Sequence, residues 1–214
     1  EWDGTNWSPV GTGMNFPVTE LAVYNGELYA GGQFTIAGGN PASRIAKWNG
    51  TTWSAVGTGI AGGYVLALAV YNGELYAAGP MGLFKLDKEE DKFKEIEYSY
   101  GFEYNKEHRV NIGRMKTVQG KLYALLNYAP VEYTTGMNLA VLEGDTWKIA
   151  DDGNSGIRHV EEYNGELYGS DGRLLRLGLN AEGKQSWQEV AVPEDEYGNS
   201  LLGANLKSYN GRLY

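Results

Sequence analysis

The chain has 214 residues, 27 acidic and 18 basic, with a formal charge of −9, 42% hydrophobic residues and no cysteine. This composition excludes disorder, disulfides and thiolate-bound metal, and it argues against nucleic acid and anionic lipid as partners, since affinity for phosphate needs clustered Lys and Arg. No stretch approaches the roughly eighteen apolar residues of a membrane-spanning helix, and 31 glycines with 16 tyrosines point to tight turns and aromatic strands, hence an all-β protein.

In chain order, EWDGTNWSPVG (1–11) reads as a hairpin with a tryptophan on each side of a polar turn. The next hairpin centres on YNGELY (24–29), where Asn-Gly favours a two-residue type I′ turn between alternating apolar strands. RIAKWNGTTWSAVG (44–57) adds another, with Trp48 and Trp53 flanking Asn49-Gly50. The hexapeptide then returns as YNGELY (71–76), VQGKLY (118–123), YNGELY (163–168) and YNGRLY (209–214), at steps of 47, 47, 45 and 46 residues. Weaker echoes of the tryptophan hairpin follow as LEGDTWKI (142–149) and KQSWQEV (184–190). Two hairpins per repeat give four short antiparallel strands, the content and length of a propeller blade, and no long window carries a helical period.

The expected fold is therefore a five-bladed β-propeller of four-stranded antiparallel blades in one domain, 1–214. The blades fall near 16–59, 60–105, 106–155 and 156–200, with a composite fifth from 201–214 plus 1–15. Because 1–11 matches KWNGTTWSAVG (47–57), the two ends of the chain supply complementary strands and close the ring without open edges. The counterpart of AGGQFTIAGGNPASRIA (30–46), about 17 residues, is wanting from that composite blade, so either the blade is short in its second and third strands or the chain is a piece of a longer repeat array.

The stretch 23–59, with its AGGQFTIAGG and IAKWNGTTW phrases, resembles the Gly-rich, kelch-like propeller repeat of large secreted or surface-anchored bacterial proteins. The match is specific over residues 1–80 and thin beyond. The resemblance implies an extracellular or cell-surface setting and an adhesive or scaffolding role without a reaction. A likeness to five-bladed lectins rests on architecture alone, which does not fix function.

Within such a ring, the tight Asn-Gly turns share one face and the variable loops share the other, where a rigid scaffold generally carries binding. Three long connections, 98–113, 127–138 and 192–203, are rich in Tyr and acids. They offer Tyr100, Phe102, Tyr104, Tyr128, Tyr133 and Tyr197, with Glu103 and Glu132, for stacking on sugar or peptide and for accepting hydrogen bonds. Alternatively the same rings fill gaps between sheets. On the inner strands, the position four before the aligned hexapeptide residue reads Glu20, Ala67, Arg114, His159, Asn205, and two before it reads Ala22, Ala69, Lys116, Glu161, Lys207. Glu20, Arg114 and His159 could anchor a polar ligand, while Lys116, Glu161 and Lys207 could simply neutralise one another.

These observations lead to the expectation of a non-catalytic binding or adhesion module for a glycan or protein ligand, monomeric or part of a larger chain, with no cofactor or metal. The rival is a glycoside hydrolase-like five-bladed enzyme using Glu20, Glu161 or Glu162; two neighbouring lysines would depress the pKa of Glu161 and spoil it as an acid. A purely structural repeat is a third possibility. The stretch DDGNSG (151–156) holds a loose calcium pattern through Asp151, Asp152 and Asn154, short of the usual loop spacing.

Overall fold

Asn25 and Gly26 both take positive φ, 50° and 80°, as a type I′ turn requires, and Asn72-Gly73, Gln119-Gly120 and Asn164-Gly165 repeat the geometry. Each turn joins two antiparallel strands, so the hexapeptide repeat is a hairpin repeat. The computed structural model describes residues 1–101, 110–127, 137–151, 156–190, 206–209 and 211–213, and they fall into two compact units, 1–96 and 97–214. Among the described residues there is no helix.

In the first unit, β1 (Val18–Tyr24) and β2 (Glu27–Gly32) form the first hairpin. A small hairpin of β3 (Ile36–Ala37) and β4 (Asn40–Pro41) precedes β5 (Ile45–Trp48) and β6 (Trp53–Ala55). The sheet order is β1-β2-β5-β6, with β3-β4 paired separately. AGGQFTIAGGN thus codes for a folded insertion: Phe34 and Ala37 are buried in a cluster with Trp53, and the Asn15 side chain accepts from the N–H groups of Thr35 and Ile36. The second sheet is sequential, from β7 (Ala67–Tyr71), β8 (Glu74–Gly79), β9 (Gly82–Asp87) and β10 (Lys92–Glu95). Gly32 and Gly79 hold equivalent positions, and a Cβ on either would collide with a backbone carbonyl oxygen, of Pro17 and Tyr64 respectively. No other residue fits where chain crosses chain so closely.

In the second unit, β11 (Ser99–Tyr100), β12 (Asn111–Val118), β13 (Lys121–Asn127), β14 (Met137–Glu143) and β15 (Thr146–Ile149) make one sheet in the order β11-β15-β14-β13-β12. The next is β16 (His159–Tyr163), β17 (Glu166–Ser170), β18 (Leu174–Leu179) and β19 (Gln185–Glu189), followed by the hairpin β20 (Ser208–Tyr209) and β21 (Arg212–Leu213). The stretch read as connection from residue 98 onward begins instead with a strand: β11 lies parallel to β15, with Gly101 N–H donating to Trp147 O and Ser99 N–H to Asp145 O. The backbone donors of this segment found a sheet edge, which no local periodicity announces.

Within each unit, successive sheets stack through apolar faces. Val65, Leu68 and Leu75 share a core with Tyr24, Tyr29 and Ile45 of the sheet before, and Ile157, Val160 and Leu167 share one with Tyr123, Leu125 and Leu139. A polar link recurs at the turns: Tyr24 OH donates to Gly73 O at 3.1 Å, Gln119 Nε2 to Gly165 O at 2.9 Å and Tyr163 OH to Gly211 O at 3.1 Å. Side chains at the end of one first strand therefore tie down the turn of the next. Each unit is all-β, a stack of repeated, mainly antiparallel sheets.

Candidate functional site

Side chains two apart on a regular strand share a face, so His159 and Glu161 sit together on β16, while on the neighbouring β12 Arg114 lies in a bulge shortly before Lys116. The first strands carrying Glu20 and Arg114 are both bulged just before or at these residues, the register shifting between Val18 and Glu20 in one and between Ile112 and Met115 in the other. A bulge re-aims the side chains beside it and is common next to functional sites. At the first bulge, Thr19 Oγ1 donates to Gly31 O and Val65 O.

Glu161 is buried, and its carboxylate holds several partners at once. Oε1 accepts the Ser208 N–H at 3.1 Å and the Ser208 hydroxyl at 2.8 Å; Lys116 Nζ stands 2.9 Å from Oε2, and Lys207 Nζ 3.9 Å from Oε1. Lys116 meets Oε2 as an ion pair rather than along a hydrogen-bond direction, for that buried oxygen has no hydrogen-bond partner. Burial pushes the Glu161 carboxyl up, but Lys116 and the Ser208 N–H and hydroxyl together outweigh it and hold the group below the usual carboxylate range. It is an ionised carboxylate at neutral pH.

His159 is buried beside it and accepts the Leu206 N–H at Nδ1, 3.0 Å away. Burial first, then the charges of Arg114, Lys116 and Lys207 lower its pKa to about 4, against an opposing pull from Glu161. The ring is therefore neutral at pH 7, and with Nδ1 an acceptor the proton sits on Nε2. The cluster joins one neutral N–H donor, a guanidinium, an ammonium and one fixed carboxylate. Such a group can bind and stabilise negative oxygen, and its carboxylate can accept a proton far more readily than it can give one.

The sequence-derived candidates separate accordingly. Arg114 and His159 belong to one cluster, close enough for the Arg114 charge to act on the ring. Glu20 is half-buried on β1 of the first unit. Tyr100 is half-buried on β11, its ring 5.5 Å from that of Tyr98 at 88°, so it packs on a strand rather than standing on a loop. Phe102, Tyr104, Tyr128, Tyr133 and Tyr197, with Glu103 and Glu132, lie outside the described residues. Glu162 points away from the cluster and caps its own turn, Oε1 accepting the Gly165 N–H at 2.7 Å. Asp151 accepts Trp187 Nε1 at 3.0 Å, and Asp152 and Asn154 lie outside the described residues. Sequence reasoning missed the Leu206 and Ser208 amides, which are backbone donors and leave no side-chain signature; the aligned register of Lys207 was the only available hint. A shallow groove of about 530 Å3 in the first unit is lined by Lys85, Asp87, Lys88 and Lys94 among others, but its charges pair across the surface, as Lys94 does with Asp87 at 2.6 Å.

No family model and no curated protein matches the chain. Among solved structures, it is similar to the X-ray structure of a protein named provisionally as a gluconolactonase, with a TM-score of 0.58 and 14% identity over 94% of this chain and 71% of that one. An arabinanase of Bacillus subtilis (TM-score 0.38, 16% identity, 77% and 69% covered) and an endo-arabinanase of Bacillus licheniformis (0.37, 16%, 84% and 74%) are more distant. The first likeness shows a propeller-like all-β fold. It also corrects two expectations, a non-catalytic binding or adhesion module and a protein that is no enzyme: the solved structure sharing this architecture is named for an enzyme, not an adhesin. The physical reason is that a repeat pattern specifies a scaffold, and a scaffold fixes neither ligand nor reaction.

Proposed function

We propose that the chain is a hydrolytic enzyme of five-sheet propeller architecture, its fifth sheet combining residues from both ends of the sequence, and that its substrate is a sugar-derived lactone or ester. The name of the structural neighbour suggests the substrate class. The observation that carries the chemistry is the neutral His159, its Nδ1 filled by the Leu206 N–H, set among Arg114 and Lys116. In lactone hydrolysis water adds to the acyl carbon, the carbonyl oxygen becomes an oxyanion, and the ring C–O bond then breaks with a proton passing to the leaving alkoxide. Nε2–H of His159 and the Arg114 guanidinium are donors for that oxyanion, while Glu161 is a positioning residue that orients Lys116. A two-carboxylate glycosidase needs one carboxyl kept protonated; Glu161 is held ionised and Glu162 caps a turn.

The test is a panel of aldonolactones assayed by acid release, beside chromogenic glycosides including arabinofuranosides. Lactone turnover is expected, with Arg114→Met and His159→Leu each lowering kcat by about 100-fold, the cost of one oxyanion donor. Turnover of glycosides alone, or full lactonase activity in both variants, overturns the proposal.

A further inference from the structure

The charges around His159 do not balance. Arg114 and Lys116 of β12 and Lys207, just before β20, act on the ring as positive charge, and Glu161 opposes them. Directly across from the ring on β17 stands Ser170, buried and neutral. One cation is cancelled locally, since Lys116 Nζ lies 2.9 Å from Glu161 Oε2. The other oxygen, Oε1, is already taken by the Ser208 N–H and hydroxyl. Lys207 therefore stands off at 3.9 Å with its side chain 66% exposed, turned to solvent rather than seated on the carboxylate. Among the described residues the cluster carries more cation than anion, in a chain whose acids outnumber its bases by 27 to 18.

The fold does not ask for that excess. At the same two register positions β1 and β7 carry Glu20, Ala22, Ala67 and Ala69, with no cation among them. His159 adds a directional donor beside the surplus charge. Its Nδ1 is filled by the Leu206 N–H, and Nε2 is not one of the buried atoms left without a partner, so the Nε2–H is presented to solvent. We infer that this site takes a lactone carrying a second oxyanion, a carboxylate or a phosphate elsewhere on the sugar chain, and that Lys207 is the residue that selects for it. The inference rests on the lactone reading given above and adds what the rest of the substrate carries. A neutral lactone leaves the surplus cation to water. A charged one meets it with a charge-assisted contact, about twice as strong as a hydrogen bond between neutral groups.

Three lactones test this: a neutral aldonolactone, the monolactone of a sugar diacid, and an aldonolactone phosphorylated at its primary alcohol. At about 20 mM salt kcat/KM for one or both charged lactones should exceed that for the neutral one by about tenfold, and the advantage should shrink at about 200 mM as charges are screened. Comparing the two charged lactones tells whether carboxylate or phosphate is the group recognised. Lys207→Gln should lower the charged-to-neutral ratio about tenfold, and Lys207→Glu should invert it. A second readout needs no turnover. The ring-opened acid of each charged lactone is titrated against the amide NMR signals of Leu206 and Ser208, with saturable shifts expected and binding about tenfold weaker in Lys207→Gln. Equal use of charged and neutral lactones, with neither acid binding, overturns the inference and leaves the lactonase standing. Binding that depends on Lys207 without turnover of any lactone overturns the lactonase and leaves the anion site. Neither binding nor turnover overturns both.

Discussion

The pairing of His159 with a backbone amide makes the second unit sensitive to acid in a calculable way. In the unfolded chain this imidazole titrates near 6.5, and in the folded protein near 4. Above the upper value the ring is neutral in both states and contributes no pH dependence. As pH falls between the two, the unfolded chain takes a proton that the folded one refuses, so stability drops until the folded ring also titrates near the lower value. Two and a half pH units at about 1.4 kcal/mol each amount to about 3 kcal/mol, a large share of the stability of a small domain. Protonation also breaks the Leu206 contact, because an imidazolium has no acceptor at Nδ1. His159→Asn isolates the effect: the amide oxygen can still accept the Leu206 N–H, but the side chain does not titrate. Urea unfolding of both proteins at pH 7, 6, 5 and 4, followed by a signal from the second unit, should show the wild type losing about 3 kcal/mol more than His159→Asn across that window. Glu161 loses its own contribution only as pH falls below about 4.5, and it does so in both proteins, so it cancels. Parallel curves would refute the argument that burial and the charges of Arg114, Lys116 and Lys207 keep this ring neutral.

Gly32→Ala should cost more than about 2 kcal/mol in urea unfolding of the first unit, since the new methyl meets the Pro17 carbonyl oxygen and backbone has to move. Asn72→Ala, by contrast, changes only an exposed turn residue at φ 50° and should cost about 1 kcal/mol, the penalty of left-handed backbone for an ordinary side chain. Lys116→Met leaves the buried Glu161 carboxylate without its nearest cation. The Glu161 pKa should then rise above its value in the wild type by carboxyl NMR titration, and stability at pH 7 should fall by about 3 kcal/mol.

The hairpins were legible because type I′ turns demand positive φ twice in succession and Asn-Gly supplies it, so Asn25, Asn72 and Asn164 announce themselves without any tertiary information. The β3-β4 insertion and β11 were not, since a two-residue strand has no period to detect, and β11 in addition pairs far along the chain, Ser99 and Tyr100 finding their partners at Thr146 and Trp147. Burial was the least legible property. DGTNW and NGTTW have nearly the same sequence and the same turn hydrogen bonds, yet Trp7 is exposed and Trp53 buried. What differs is whether another piece of chain lies over the ring: Trp53 Nε1 donates to Val10 O at 2.9 Å, and Gly38 sits against its side chain. Local sequence carries the strand, while coverage belongs to the assembly.

The same distinction locates the chemistry. Along the repeated first strands, one parity keeps the apolar series Leu21, Leu68, Met115, Val160, Leu206, because stacked sheets need it for burial. The other parity carries Glu20, Ala67, Arg114 and His159, then Ala22, Ala69, Lys116 and Glu161. Packing does not force a charge at those positions, as Ala67 and Ala69 show by filling them within the second sheet of the first unit. Where charges do occur they are not left to solvent. Glu161 Oε1 takes the Ser208 N–H, its Oε2 faces Lys116 as an ion pair and His159 takes the Leu206 N–H, an arrangement in which the imidazole stays neutral and the carboxyl ionised. Both groups are held deprotonated, the imidazole neutral and the carboxyl ionised, which makes this part of the fold sensitive to acid, and a scaffold needing only cohesion could use alanine there. That pair of perturbed groups is why strands β12 and β16 of the second unit, rather than the charged groove on the first, are where activity should be sought.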